Sequence, residues 1–255
     1  MTAYYNEIDP YAAQWLRSLI ADGQIAPGDV DERSIVDVRP DDLSKYAQCH
    51  FFAGIGGWSL ALRLAGWPDN RPVWTASLPC QPFSIASVAP KTCAKGQADE
   101  RHLLPDFMRL VEVRRPPIIL GEQVRNAIKW GWLDEAFGAL EGLDYACGAI
   151  IAPALAVGAA HERNRLYWMA DAGREGWQGH QPLECLPVAA AASLPEYGDP
   201  LAGARRALDG DYSDLLHCDG LSVQVERLAT HGYGNAIVPQ LAAKFIAAAR
   251  QSLGA

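Results

Sequence analysis

Lysine is scarce in this 255-residue chain, and negative charge exceeds positive charge. There are five lysines, and the 22 lysine and arginine side chains are outnumbered by 30 carboxylates, which gives a formal net charge of −8. A protein that coats nucleic acid without selectivity needs clustered lysine and arginine to neutralise phosphates. The composition therefore excludes that class of protein, although it leaves room for a local basic cleft.

Paired cysteines and long apolar runs are also missing. The cysteines have no Cys-x-x-Cys spacing and no histidine at metal-ligand spacing, so we predict neither a disulfide framework nor a metal site. They are Cys49, Cys80, Cys93, Cys147, Cys185 and Cys218. No apolar run approaches the roughly 20 residues that cross a bilayer, and residues 1–7 do not resemble a signal peptide. We expect a soluble, cytoplasmic protein that has no membrane contact and no obligate protein partner.

Strand-like and helix-like stretches alternate along the chain, which predicts an α/β domain with a mainly parallel sheet. The predicted strands are Ala3–Ile8, His50–Ala53, Val73–Leu78, Pro117–Leu120, Ala146–Ala152 and Arg165–Met169. The predicted helices are Pro10–Ala21, Ser59–Ala65, Leu103–Val113, Trp132–Glu141 and Ile237–Ala249, whose apolar residues recur at intervals of three and four. Residues 171–226 are rich in Gly, Pro, Ala and acidic side chains, which indicates an inserted module.

Cys80 lies between two prolines in Pro79-Cys80-Gln81-Pro82-Phe83-Ser84, directly after a predicted strand. The prolines restrict the backbone and remove amide donors, so the thiol can be presented at a strand end, where a nucleophile would be expected. A small buried core residue is the commoner fate of a lone intracellular cysteine. From these residues alone, both interpretations stay open.

A glycine-rich turn, Phe52-Ala53-Gly54-Ile55-Gly56-Gly57, separates a predicted strand from a predicted helix. Such a turn lets a ligand approach the backbone at the carboxyl end of a strand. Glu7 ends another predicted strand, where a carboxylate can accept both hydroxyls of a ribose. Gly28-Asp29-Val30 is interpreted as a second acidic turn that suits the exocyclic amine of adenine.

Five segments, in this order, resemble the DNA (cytosine-5) methyltransferases. They are the glycine turn, the Cys80 turn, Gly121-Glu122-Gln123-Val124, His161-Glu162-Arg163-Asn164-Arg165 and Gly234-Asn235-Ala236-Ile237-Val238. The resemblance implies a Rossmann-like S-adenosylmethionine-dependent methyltransferase fold with a small inserted recognition module. It also implies a catalytic domain at 1–170, a target-recognition region at 171–226 and, at 227–255, a helix that returns to the catalytic domain.

The resemblance implies that methyl transfer to C5 of cytosine in duplex DNA proceeds through a Cys80–C6 adduct. Covalent addition at C6 makes the otherwise unreactive C5 nucleophilic. Glu122 resembles the carboxylate that contacts N3 and the 4-amino group, and burial would keep it partly protonated. Arg163 resembles the arginine that holds O2 of the base, with Arg165 bracing the same site. Because the target base must leave the stack, base flipping is expected.

S-adenosylmethionine is the methyl donor that the resemblance implies. Phe52 and Ile8 would pack on the two faces of adenine, Glu7 would bind the ribose and Asp29 would meet the adenine amine. The segment that would leave space for the methionine part is Gly54, Ile55, Gly56 and Gly57. Leu104 would close the adenine pocket, and Asn235 would lie near the same ligand.

Three features depart from the family. Glu7 and Asp29 precede the glycine turn, whereas the corresponding family motifs follow it, so the order of the cofactor-binding motifs is rearranged. Gln123 replaces the usual Asn after the catalytic Glu. Residues 171–226 hold three arginines and no lysine against ten carboxylates, from which we expect a short recognition sequence and salt-sensitive affinity.

Other functions remain open. A homologue without turnover that binds DNA or protein is favoured by the acidic insert and by Gln123. RNA methylation shares the chemistry, whereas a small-molecule methyltransferase would not need the Cys80, Glu122 and Arg163 set. Within the leading interpretation, restriction-linked and virus-borne modification enzymes of bacterial cells would look alike.

Overall fold

A computed structural model describes residues 2–79, 103–158, 163–173 and 236–252. The strands are β1 (Thr2–Asn6), β2 (Gly28–Asp31), β3 (Tyr46–Phe51), β4 (Val73–Ala76), β5 (Ile118–Val124), β6 (Ala146–Ala152) and β7 (Arg165–Asp171). The α-helices are α1 (Pro10–Ala21), α2 (Gly57–Leu64), α3 (Leu104–Arg114), α4 (Trp132–Glu141) and α5 (Pro239–Ser252). Short 3₁₀ helices occupy Ile35–Asp37, Pro40–Leu43, Arg125–Trp130 and Ala154–Val157.

The seven strands form one sheet in the order β2-β1-β3-β4-β5-β7-β6. The neighbours from β2 to β5 are parallel, whereas β7 runs antiparallel to both β5 and β6. The predicted α/β class with a mainly parallel sheet is therefore confirmed. Because β1 lies between β2 and β3, the N-terminal strand that ends in front of Glu7 is the direct neighbour of the strand that enters the glycine turn.

Helices cover both faces of the sheet, which explains why its central strands β3, β4 and β5 are buried along nearly their whole length. On one face, α3 and α4 pack with Phe51, Trp74 and Trp168 in the largest buried cluster. On the other face, α2 and α5 pack with Tyr167 and Leu120. α1 covers β1 on this second face through a smaller cluster.

The predictions differ from the observed elements at several places that concern the site. The strand predicted at His50–Ala53 is observed as β3 at Tyr46–Phe51, and the strand predicted at Val73–Leu78 ends at Ala76. Gly28-Asp29-Val30 was interpreted as an acidic turn, and that interpretation is wrong, since these residues begin β2 and pair with β1 from Ala3 onward. The predicted strand Pro117–Leu120 is too short, because β5 continues through Gly121, Glu122 and Gln123 to Val124. Charged and small residues lower β propensity, but pairing with β7 on a buried sheet overrides it.

Gly121 makes room for a tryptophan of the neighbouring strand. It lies opposite Trp168 in the β5–β7 ladder, and a Cβ at this position would overlap the indole ring. Trp168 is fully buried and packs against Trp132 of α4, so the ring has no free space into which to move. The glycine before Glu122 is therefore required by packing.

We expect Gly121→Ala to lower the free energy of unfolding by about 1–3 kcal/mol, the usual cost of overpacking a core. Gly138→Ala is the matched control, because a Cβ there meets no atom within 4 Å in the part of the chain that the structure describes. Alanine is the better residue inside a helix, so the control should gain up to about 1 kcal/mol. Urea unfolding measures both, and equal effects of the two substitutions would contradict the packing argument.

No helix within the described ranges is both long and apolar enough to span a bilayer. Within the same ranges, no group of three or more His, Cys, Asp and Glu side chains is arranged to hold a metal ion. The predicted division into three regions stays a prediction, since most of residues 171–226 lie outside the described residues.

Candidate active site

The glycine turn links the carboxyl ends of β1 and β3. The Ala53 amide donates to the Asn6 carbonyl at 3.0 Å, and the Gly54 amide donates to Oε2 of Glu7 at 2.7 Å. Phe52 and Gly54 both have a φ of 54°, in the left-handed region. A Cβ on Gly54 would meet no atom within 4 Å among the described residues, so none of those residues fills the space beside Gly54.

Glu7 is held in place from two sides. Its Oε2 accepts from Gly54, and its Oε1 accepts from the Asp9 amide at 2.9 Å. Asp9 in turn caps α1, since its Oδ1 accepts from the Tyr11 and Ala12 amides. A carboxylate oxygen has more than one acceptor site, so Glu7 can still accept hydroxyl groups from a ligand.

The structure brings several of the predicted cofactor residues to this edge. Phe52 packs against the same buried cluster that contains Leu104, which is 2% exposed. Ile8 follows Glu7 and is 64% exposed. Gly57 begins α2, and Ile237 packs so closely against it that a Cβ at Gly57 would collide with the Ile237 side chain. The segment that contains Ile237 therefore returns to the glycine turn.

Asp29 is the predicted cofactor residue that the structure does not bring to this group. It is the second residue of β2 and lies opposite Tyr4, two residues short of the strand end. Its carboxylate accepts from the Tyr46 hydroxyl at 2.6 Å and pairs with Lys45 at 3.3 Å. The acidic residue at the end of β2 is Asp31, which receives hydrogen bonds from Tyr4 and Arg33.

Glu122 and Arg165 form a buried ion pair at the carboxyl end of β5. Arg165 Nε lies 2.8 Å from Oε1 of Glu122. The pair follows from the register, because Arg165 lies opposite Val124 and Glu122 lies opposite Tyr167, so the two charged side chains are diagonal neighbours on one face of the sheet. Since Arg165 uses Oε1, Oε2 of Glu122 remains for a ligand.

The pKa of Glu122 is raised above its ordinary value of 4.5. Burial is the largest cause, because a charged carboxylate loses hydration when only 7% of the residue is exposed. The positive charges of Arg165 and Arg163 oppose the shift without cancelling it. The site therefore favours a protonated carboxyl group more than water does.

Arg163 reaches the same site from outside the strand. β7 begins at Arg165, and Arg163 precedes it with a φ of 29°. The Arg163 guanidinium donates to the Ala236 carbonyl at 2.7 Å. It also acts electrostatically on Glu122. Residues with unusual backbone angles often lie at functional sites, and Phe52 and Arg163 are both of this kind.

Gln123 has a structural role that the sequence did not reveal. Its side chain is 1% exposed, donates to the Leu78 carbonyl at 3.3 Å and accepts from the Val124 amide at 2.9 Å. The β4–β5 ladder pairs residues as far as Ala76 and Gly121, so this amide connects the two chains beyond the ladder. Leu78 is two residues before Cys80. The longer side chain in place of the family Asn thus contacts the segment that leads to the predicted nucleophile.

Two of the predicted residues, Cys80 and Asn235, lie outside the described residues. The described cysteines are Cys49 and Cys147, and both are free thiols. Burial raises the pKa of Cys49 far above its ordinary value and the pKa of Cys147 to about 12. Neither thiol is suited to be a nucleophile at neutral pH, since the thiolate is the reactive form.

Comparison with known proteins matches this region to one family. The sequence profile of the C-5 cytosine-specific DNA methylases matches residues 68–185. The type II methyltransferase M.HhaI of Haemophilus parahaemolyticus is 24% identical over 205 residues, which cover 64% of this chain and 61% of that protein. This chain therefore spans about three fifths of the length of its curated relative.

Two solved structures are similar to part of the chain. A mutant of Spodoptera frugiperda DNMT2 aligns with a TM-score of 0.47 and 16% identity, covering 71% of this chain and 45% of that one. A putative DNA modification methyltransferase encoded within an Escherichia coli prophage aligns with a TM-score of 0.42 and 19% identity, covering 66% and 39%.

The sheet is parallel from β2 to β5, and β7 lies antiparallel between β5 and β6, which is a Rossmann-like α/β architecture. The profile match narrows the resemblance further, because residues 68–185 are similar to the C-5 cytosine-specific DNA methylases. The strands β1 and β2 precede the glycine-turn strand β3 in the chain.

Proposed function

We propose that the protein transfers a methyl group from S-adenosylmethionine to C5 of cytosine in duplex DNA. The observation that carries the proposal is the buried Glu122–Arg165 pair, with Arg163 beside it, on the strand next to the one that leads to Cys80. A small-molecule methyltransferase would have no need for a protonatable carboxyl group and two arginines at this place.

The residues at the glycine turn fit a nucleoside ligand. Glu7 offers carboxylate oxygens at the end of β1, Phe52 offers a partly buried ring, and no described residue fills the space beside Gly54. When bound, S-adenosylmethionine supplies an electrophilic methyl group for C5. Asp29 is not part of the proposed site, because it lies two residues before the end of β2. Asp31, which ends β2, already accepts hydrogen bonds from Tyr4 and Arg33.

Cys80 is the proposed nucleophile. Its thiolate adds to C6 of the flipped cytosine, and the electron pair of the C5–C6 double bond becomes available at C5. After C5 has been methylated, loss of its proton and departure of the Cys80 sulfur restore the double bond. Gln123 supports this step by holding the carbonyl of Leu78, just ahead of the nucleophile.

Glu122 is the proposed acid. The free oxygen of its carboxyl group faces N3 of the base and supplies a proton as negative charge builds up during addition at C6. Arg165 keeps the other oxygen oriented. Arg163 holds O2 of the base, and its bond to Ala236 fixes the guanidinium against the C-terminal segment. Both arginines stabilise charge that develops on the ring.

The test is methyl transfer from isotopically labelled S-adenosylmethionine to duplex DNA and to tRNA, followed by nucleoside analysis. We expect labelled 5-methylcytosine in duplex DNA, and bisulfite sequencing of the product then gives the target sequence. If the label appears in tRNA and not in DNA, the result would instead support RNA methylation. Absence of transfer to either would favour a homologue that binds without turnover, the alternative suggested by the acidic insert.

A further inference from the structure

An exposed basic and aromatic segment follows the catalytic strand directly. The 3₁₀ helix Arg125–Trp130 begins where β5 ends, so Arg125 is three residues beyond Glu122. Ala127 is fully buried and anchors this helix in the core. Arg125 and Lys129 are exposed, and Trp130 is 51% exposed despite its large apolar ring.

The charges of this segment are available for a partner. Among the residues that the structure describes, Arg125 and Lys129 form no ion pair, whereas Arg33 and Arg63 are paired with carboxylates. Glu122 is paired with Arg165. The next acidic residues toward the C-terminus, Asp134 and Glu135, lie beyond Gly131 in the first turn of α4, where acidic side chains are favourable to the helix. Two unpaired cations are notable in a chain with a net charge of −8.

We propose that Arg125 and Lys129 bind phosphates of the DNA strand that carries the target cytosine, and that the exposed ring of Trp130 packs against the same backbone. This inference rests on the proposed function. A flipped base takes its flanking phosphates to the rim of the pocket that receives it. Since Arg125 is within about 10 Å of Glu122 along the chain, the segment lies at that rim, and its charge is complementary to the backbone.

The experiment measures how the affinity for a duplex that contains the methylation site depends on salt, for the full chain without S-adenosylmethionine. Each lost phosphate contact should reduce the slope of log K against log salt by about 0.9. Lys129→Gln should therefore reduce the slope by about one, and Arg125→Gln with Lys129→Gln by about two, with weaker binding to every sequence. Trp130→Ala should weaken binding and leave the slope unchanged.

Lys45→Gln is the matched control, because it removes one exposed lysine at the opposite edge of the sheet, just before β3 begins. Its slope should equal that of the wild type. If the double variant keeps the wild-type slope while the wild type methylates DNA, this inference fails and the proposed function stands. The inference is also overturned if the double variant reduces the slope of log K against log salt for tRNA and not for duplex DNA. If the wild type neither binds nor methylates DNA, both proposals fail.

Discussion

Cys80→Ala is expected to abolish methyl transfer to DNA without unfolding the protein. The alanine side chain cannot form the bond to C6, and without that bond C5 of cytosine does not attack an electrophilic methyl group at a useful rate. Labelled transfer should fall to background, while the far-ultraviolet circular dichroism spectrum and the midpoint of thermal unfolding stay close to those of the wild type.

Covalent capture tests the same residue more directly. In DNA that carries 5-fluorocytosine, C5 has no proton to lose after methylation, so the sulfur cannot leave and the adduct persists. Wild-type protein should form a complex with this DNA that survives denaturing electrophoresis, and Cys80→Ala should form none. Cys147→Ala is the matched control, because Cys147 is half-buried on β6 and has its pKa raised to about 12. Capture by Cys80→Ala would show that another group is the nucleophile.

Glu122→Gln is expected to reduce kcat by about 10²- to 10⁴-fold, the usual contribution of a general acid. Glutamine has the shape of the protonated carboxyl group and can still meet Arg165, but it has no proton to transfer. KM should change less than kcat, since the hydrogen-bonding shape is retained. Glu112→Gln on the exposed side of α3 removes the same charge and should leave kcat at the wild-type value.

The pH profile separates proton transfer from a structural role for Glu122. Its pKa in the folded protein is raised, so the reactive protonated form is present at low pH and is lost as the pH rises through that pKa. The alkaline limb of kcat/KM should contain this ionisation, and Glu122→Gln should lack it. The free energy of unfolding should also fall as the pH rises above about 4.5, because the folded protein must then keep a charged carboxylate buried at Glu122. An unchanged alkaline limb in the variant would exclude Glu122 as the acid.

Local patterns were sufficient for most elements of the fold. The α-helices of the described ranges were predicted within a few residues, because their apolar residues recur at helical spacing. Six strands were predicted as buried or alternating runs, whereas β2 was missed because Gly28 and Asp29 are typical of turns. Among the predicted site residues, Glu7, Phe52 and Gly54 lie at the ends of β1 and β3, and Glu122 pairs with Arg165 and is affected electrostatically by Arg163.

What the sequence alone determined is the chemistry that is encoded locally: the proline-braced Cys80, the glycine turn and the Glu122 and Arg163 motifs in family order. The tertiary structure decided which side chains meet. In the folded chain Asp29 lies inside β2 and not at a strand end, Arg165 pairs with Oε1 of Glu122, and Gln123 donates a hydrogen bond to the Leu78 carbonyl. These contacts depend on the register between strands that are far apart in the chain, and a shift of one residue would turn each side chain to the other face.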